Sequence, residues 1–196
     1  LNGGTFPVEK TRRLAEDGER QRVYTLFCHM SDPNVFDPVE DAIAAIAAGQ
    51  PVVVADDEDR ENEGDAIIAA ELVTEEWMAW IVRNTTGFLC VPMEESRANE
   101  LELPLMTLQN EDPHATNYTV SVDAANRFST GVSAADRANT ANVLANPRST
   151  AASLIRPGHM LPLRAHPLGV HRRAGHTEAT VDLLKLAGLQ PVGVIG

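Results

Sequence analysis

Apolar and polar positions along this chain follow two periods. Val39, Ile43, Ile46 and Ala47 recur at i, i+4, i+7 and i+8, one stripe of a helix. Asp37 offers a capping carboxylate, Pro38 suits the first helical position, Glu40 favours the positive end, and Gly49 with Pro51 stops the helix. Val52–Ala55 is continuous and rich in β-branching, which predicts a strand covered on both faces, and 66–70 predicts the next strand. Thr74 is placed to cap a helix that buries Trp77, Trp80 and Ile81, and 88–91 predicts a short strand ended by Pro92. Tyr118, Val120 and Val122 alternate with Thr119, Ser121 and Asp123, as in a half-exposed strand. A further helix is predicted over 133–144, then a turn at Arg156, Pro157, Gly158 and His159 and an extended piece at Leu161, Pro162 and Leu163. In the last helix Ala179, Leu183, Leu186 and Ala187 share a face, Thr177 is the candidate cap and Gly188 the end; Val194 and Ile195 follow as a buried strand. Helices interleaved with strands predict one layered domain of both.

Composition narrows the class. The chain has 196 residues, 43% hydrophobic and 22% charged, which excludes disordered and fibrous classes and leaves room for a real core. No stretch reaches the ~20 apolar residues a membrane span needs, and Glu9, Lys10, Arg12 and Arg13 stand where a signal peptide would be apolar. A cytoplasmic protein with no membrane partner is expected. Cys28 and Cys90 carry no paired spacing, so neither a disulfide framework nor a structural zinc site is expected. The net charge of -12 argues against nucleic acid as a partner but permits a local basic pocket. Residues 1–35 show no clear period and are expected to be a poorly ordered extension of a domain over 36–196.

Half of the net charge sits in one block. Asp56, Asp57, Glu58, Asp59, Glu61, Glu63 and Asp65 surround the single base Arg60 between two apolar segments. The block is either an acidic surface loop or a collection of oxygen ligands for a hard cation. An extended chain would aim Glu61, Glu63 and Asp65 to one side, together with Asp57 and Asp59. The calcium-loop pattern is absent, and Gly64 marks a special backbone conformation or a close approach.

Three other segments carry candidate chemistry. Arg172, Arg173, Ala174, Gly175, His176 and Thr177 precede the last helix, where two guanidinium groups and free N–H groups suit a phosphate or carboxylate, or merely cap the helix. Ser129, Thr130, Gly131, Val132 and Ser133 form a hydroxyl-rich loop entering a helix, but neither a P-loop nor a dinucleotide fingerprint. Pro157 restrains the loop around His159, which suits a fixed acid or base. His29, His114, His166 and His171 have no evident partner and are expected at the surface.

Taken together, the acidic run 56–65, Thr130 to Arg137, Arg156 to His159, and Gly175 to Ala179 resemble 3,4-dihydroxy-2-butanone 4-phosphate synthases of riboflavin biosynthesis, in the right order from Asp37 to Ile195. The resemblance implies conversion of ribulose 5-phosphate to the four-carbon product and formate, with magnesium or manganese and no organic cofactor. It implies an α+β fold of three layers, α/β/α, around a mixed twisted sheet, and a homodimer with active sites at its interface. By resemblance Glu61 and His176 are metal ligands, and Arg60, Glu61, Asp65, Arg173, Ala174, Gly175, His176 and Thr177 hold the sugar phosphate. Asp56 and Glu63 line the same pocket, and Glu61 and His159 serve catalysis. The family also occurs fused to a GTP cyclohydrolase II domain.

The ending departs from that pattern. Family members continue Gly193, Val194 and Ile195 with Cys and a catalytic Glu, then a strand and a helix, whereas Gly196 stands here in the Cys position. The 196 residues are therefore expected to lack C-terminal elements of the fold, to expose an apolar strand edge and to be a poor synthase unaided. A noncatalytic sugar-phosphate-binding homologue, or another magnesium-dependent sugar-phosphate isomerase or aldolase, are the competing readings.

Overall fold

The computed structural model describes the strand Tyr24–Phe27 and residues 36–57 and 59–196. Seven strands form one mixed sheet: β1 (Tyr24–Phe27), β2 (Val52–Ala55), β3 (Gly64–Ala69), β4 (Cys90–Glu94), β5 (Val122–Ala124), β6 (Leu154–Ala165) and β7 (Gly193–Ile195). Their spatial order is β1-β2-β3-β7-β4-β6-β5, with β1–β2 and β4–β6 parallel and the other pairs antiparallel. Five helices accompany it: α1 (Val39–Ala47), α2 (Glu75–Asn84), α3 (Glu95–Glu100), α4 (Ala134–Ala145) and α5 (His176–Leu186).

Successive side chains of a strand face opposite ways, and the core divides accordingly. Ala66 and Ile68 of β3 join Val91, Met93 and Val194 in a cluster with Met78 and Ile81 of α2 and Ala138, Ala141 and Leu144 of α4. Ile67 and Ala69 join Val52, Val54 and Ile195 in a second cluster with Ala42, Ala45 and Ile46 of α1 and Ala179, Leu183 and Leu184 of α5. Both faces of the sheet thus carry helices, and the mixed α+β class follows.

Several sequence expectations shift. β1 falls inside the expected extension and pairs with β2, so the sheet begins before residue 36; the expected poor order of the rest of 1–35, Cys28 and His29 lie outside the described residues. The N-cap of α1 is Pro38 rather than Asp37. α2 is capped by Thr74, which accepts from the Trp77 N–H, but it buries Met78 and Ile81, while Trp77 and Trp80 stay half-buried in an edge-to-face pair at 6.0 Å. Pro92 does not end β4. The Leu161 N–H donates to the Leu89 carbonyl, which turns odd-numbered residues toward β6 and leaves Pro92 facing β7, where pairing is interrupted between Cys90↔Ile195 and Met93↔Val192.

The 118–123 alternation is broken as well. Thr119 is fully buried, its hydroxyl donating to the Pro162 carbonyl, and only Val122–Ala124 forms a strand. The expected turn at Arg156 to His159 and the expected short piece after it are one twelve-residue strand, β6. Gly158 serves close approach there: a Cβ would collide with the Val122 and Asp123 backbone, at the register shift between β5 and β6. Gly158→Ala is accordingly expected to destabilise the fold by roughly 1–3 kcal/mol, read as a lowered denaturation midpoint; an unchanged midpoint contradicts the close packing. In α5 the N-cap is Gly175, so Thr177 lies inside the helix, and Leu186 is exposed despite its place on the expected apolar face.

β7 overturns the expected exposed edge. It lies mid-sheet, bonded to β3 and β4, with Val194 fully buried and Ile195 nearly so. Among the described residues no helix is long and apolar enough to cross a membrane.

Candidate active site

The site begins where β2 ends. Asp56 directly follows Ala55, and Asp57 coils the chain beyond it: its side chain accepts from the Asp59 N–H at 2.9 Å and its carbonyl from the Arg60 and Asn62 N–H groups. Asn62 adopts φ 53°, the left-handed region that asparagine tolerates, and turns the chain back. The Glu63 N–H then donates to Asp56 Oδ1 at 2.9 Å and the Asp56 N–H to the Glu63 carbonyl. Convergence of the acids therefore comes from this coil and not from extended alternation. Gly64 has ordinary φ, and a Cβ there would meet only ordinary contact.

From the opposite side, α5 brings His176 at its first residue, buried by its packing on the sheet. His176 Nδ1 lies 3.8 Å from Glu61 Oε2 and 3.8 Å from Asp65 Oδ2, and its Nε2 is buried without a hydrogen-bond partner. Asp56, Glu61 and His176 each place one ligand atom within 4.8 Å of the others. Two hard carboxylates with one imidazole suit magnesium or manganese.

Arg60 stands between the carboxylates. Its Nη1 donates to Asp56 Oδ2 at 2.5 Å and to Glu61 Oε2 at 2.6 Å. Burial alone would raise the pKa of Asp56, but the Glu63 N–H, Arg60 and His176 together hold it below the usual range. Burial pushes Glu63 and Asp65 up, and the neighbouring Glu61 carboxylate adds to both. Arg60 is held more firmly protonated, because Asp56 and Glu61 outweigh its own desolvation.

The α5 N-terminus is where two guanidinium groups meet. A Cβ on Gly175 would lie 2.5 Å from Arg173 Nη1 and 2.9 Å from Arg60 Nη2, so glycine is what lets both close on the helix end. Thr177 is buried in the first turn, Ala174 is exposed, and Arg172 is exposed and away from this convergence. Arg173 is itself engaged: Nη1 donates to Glu178 Oε2 at 2.6 Å, Nε to the His114 carbonyl and Nη2 to Thr116 Oγ1. Glu178 is almost fully buried and also accepts from the His166 N–H. Removing its cation leaves a buried charge. Arg173→Ala is expected to cost roughly 3 kcal/mol of stability, read by urea unfolding, and a change near zero would show that solvent replaces the pair.

A second constellation lies on β5 and β6. His159 Nδ1 is 2.9 Å from Asp123 Oδ2, and the His159 N–H donates to Asp123 Oδ1 at 2.9 Å. A carboxylate only accepts, so Nδ1 carries the proton, and in the neutral imidazole Nε2 then offers its lone pair. Gly131, at φ 102°, packs against both groups where a Cβ would strike Asp123. That loop is pinned by Asp136, which accepts from the Ser129 and Ser133 hydroxyls and the Phe128, Ser129 and Gly131 N–H groups. The Ser129 hydroxyl leads in holding the Asp136 carboxyl far below its usual range. No hydrogen bond or ion pair among the described residues joins this dyad to the Asp56, Glu61 and His176 group.

Sequence reasoning missed three participants: Asp123 behind His159, Glu178 behind Arg173, and His114, expected to be without a partner. His114 Nε2 lies 3.8 Å from Glu61 Oε1.

Comparison with known proteins identifies the family. The sequence profile of the family described as 3,4-dihydroxy-2-butanone 4-phosphate synthase covers residues 40–196. A 3,4-dihydroxy-2-butanone 4-phosphate synthase of Candida albicans is 55% identical over 162 residues, 83% of this chain and 79% of that protein. The riboflavin biosynthesis protein RibBA of Nocardia farcinica is 56% identical over 160 residues, 82% of this chain but 39% of that longer protein. A crystal structure of a 3,4-dihydroxy-2-butanone 4-phosphate synthase in complex with two magnesium ions superposes with a TM-score of 0.81 at 51% identity, covering 82% of this chain and 75% of that one. With the profile spanning the sheet from α1 to β7 and both candidate constellations, the chain belongs to the 3,4-dihydroxy-2-butanone 4-phosphate synthase family.

Proposed function

We propose that this protein converts ribulose 5-phosphate to 3,4-dihydroxy-2-butanone 4-phosphate and formate in riboflavin biosynthesis, with magnesium or manganese and no organic cofactor. The observation that carries the reading is the convergence of Asp56, Glu61 and a buried His176, whose Nε2 has no hydrogen-bond partner, beside two guanidinium groups at the α5 N-terminus. The donor set fits a hard divalent cation, held by Glu61 and His176 with Asp56 alongside. When bound, such an ion supplies Lewis-acid polarisation of the sugar's oxygens.

The remaining roles fall to the chain's own groups. Arg60 and the backbone N–H groups of His176 and Thr177 meet a phosphate dianion at the positive end of α5, and Arg173 closes that wall while tied to Glu178. Ala174 and Thr177 border the same turn, and Asp65, turned toward His176, receives sugar hydroxyls. His159 Nε2, with Nδ1–H fixed by Asp123, accepts and returns a proton during enolisation. Phe128 and Val132, both exposed, flank the loop packed on His159 and offer an apolar surface to the homodimer that the family resemblance implies. The reading places the enzyme in the cytoplasm.

Incubation of the whole protein with ribulose 5-phosphate and magnesium is expected to release formate, and chelation to stop it. Binding without turnover would instead mark a noncatalytic homologue, and rearrangement without formate another sugar-phosphate enzyme. Sedimentation equilibrium returning only monomer would remove the homodimer.

A further inference from the structure

We infer that Arg60 is the internal counter-cation of the metal site, holding carboxylate oxygens of the candidate ligand group and yielding them toward the anion at Gly175 when a divalent cation binds. The inference rests on the metal site proposed above. One guanidinium nitrogen, Nη1, contacts Asp56 Oδ2 at 2.5 Å and Glu61 Oε2 at 2.6 Å, the two carboxylates of the candidate ligand group. Asp56 Oδ1 is already committed to the Glu63 N–H, so Oδ2 is the oxygen a metal would share with Arg60. A divalent cation on the same oxygens repels the guanidinium and weakens its hold, and the acidic cluster needs one cation to offset its mutual repulsion.

The other end of the guanidinium shows where it can go. Arg60 Nη2 already lies 2.9 Å from the position of a Cβ on Gly175, at the α5 N-terminus beside Arg173. Arg173 is fixed by Glu178, Thr116 and the His114 carbonyl, which leaves Arg60 as the guanidinium able to change partners. The side chain is partly exposed, so a small rotation meets no closed wall. Displacement by the metal therefore delivers a cation to an anion at the helix end, and anion and metal assist each other's binding.

Manganese binding, followed by electron paramagnetic resonance or calorimetry with sulfate as the phosphate stand-in, tests this without turnover. Arg60→Gln is expected to bind Mn2+ at least ~10-fold more tightly than wild type, since two charge-assisted hydrogen bonds no longer compete. Sulfate is expected to tighten Mn2+ binding in wild type, and to lose that effect in Arg60→Gln. Equal or weaker Mn2+ binding by Arg60→Gln, or sulfate coupling that survives the substitution, overturns the inference while leaving the metal site standing. No Mn2+ binding by wild type overturns the metal site itself and the inference with it. Should Arg60→Gln fail to fold, the wild-type measurement alone decides: sulfate that leaves Mn2+ affinity unchanged overturns the exchange.

Discussion

Glu61→Gln is expected to lower formate release from ribulose 5-phosphate by at least ~100-fold. The amide keeps the size of the side chain but loses the charge that a divalent cation requires, and Lewis-acid stabilisation is worth several kcal/mol at about 1.4 kcal/mol per decade of rate. The fold is not at stake, because Glu61 is partly exposed and its partner Arg60 keeps Asp56. Thermal midpoints of the two proteins should therefore agree closely while Mn2+ affinity falls. Turnover within threefold of wild type would remove Glu61 from the ligand set.

His159→Ala should show a loss of ~10²- to 10⁴-fold in kcat, the usual worth of a positioned acid or base. The imidazole side chain is 43% exposed and packs little, so truncation leaves the core intact. Its precision comes from Asp123, 2% exposed, which grips both the ring and the backbone N–H. Asp123→Asn tests that grip: an amide presenting its NH2 to Nδ1 would favour the opposite tautomer, so kcat should fall with KM little changed, and by less than in His159→Ala. Parallel losses in kcat and in sugar-phosphate affinity would make His159 a binding group rather than a proton carrier.

What the sequence revealed of this architecture was local. α1 and α4 stand near their predicted places because their apolar spacing and their flanking Ser, Pro and Gly act within a few residues. Thr119, Pro92 and Gly158 were misread because partners far along the chain decide them: a Pro162 carbonyl, an interrupted pairing with β7, and the Val122 backbone. The site divides the same way. Two of its segments stood out as an acidic block and an arginine-rich helix start, yet roles for Glu61 and His176 came from family resemblance. Asp123 could not be paired with His159 from 36 positions away, nor could Asp56 be placed before Asn62 was seen to reverse the loop.

The central place of β7 has a consequence for how the chain reaches this state. β3 and β4 are made early, but the ladder that joins them is supplied by residues 193–195, emerging far later from the ribosome. Until then the β1-β2-β3 and β4-β6-β5 halves each present an open edge of unpaired backbone, and closing the gap demands pairing such as Ile67 with Ile195, far apart in the sequence. High contact order makes that closure slow, and the nascent halves, not the finished sheet, are the species a chaperone would need to guard.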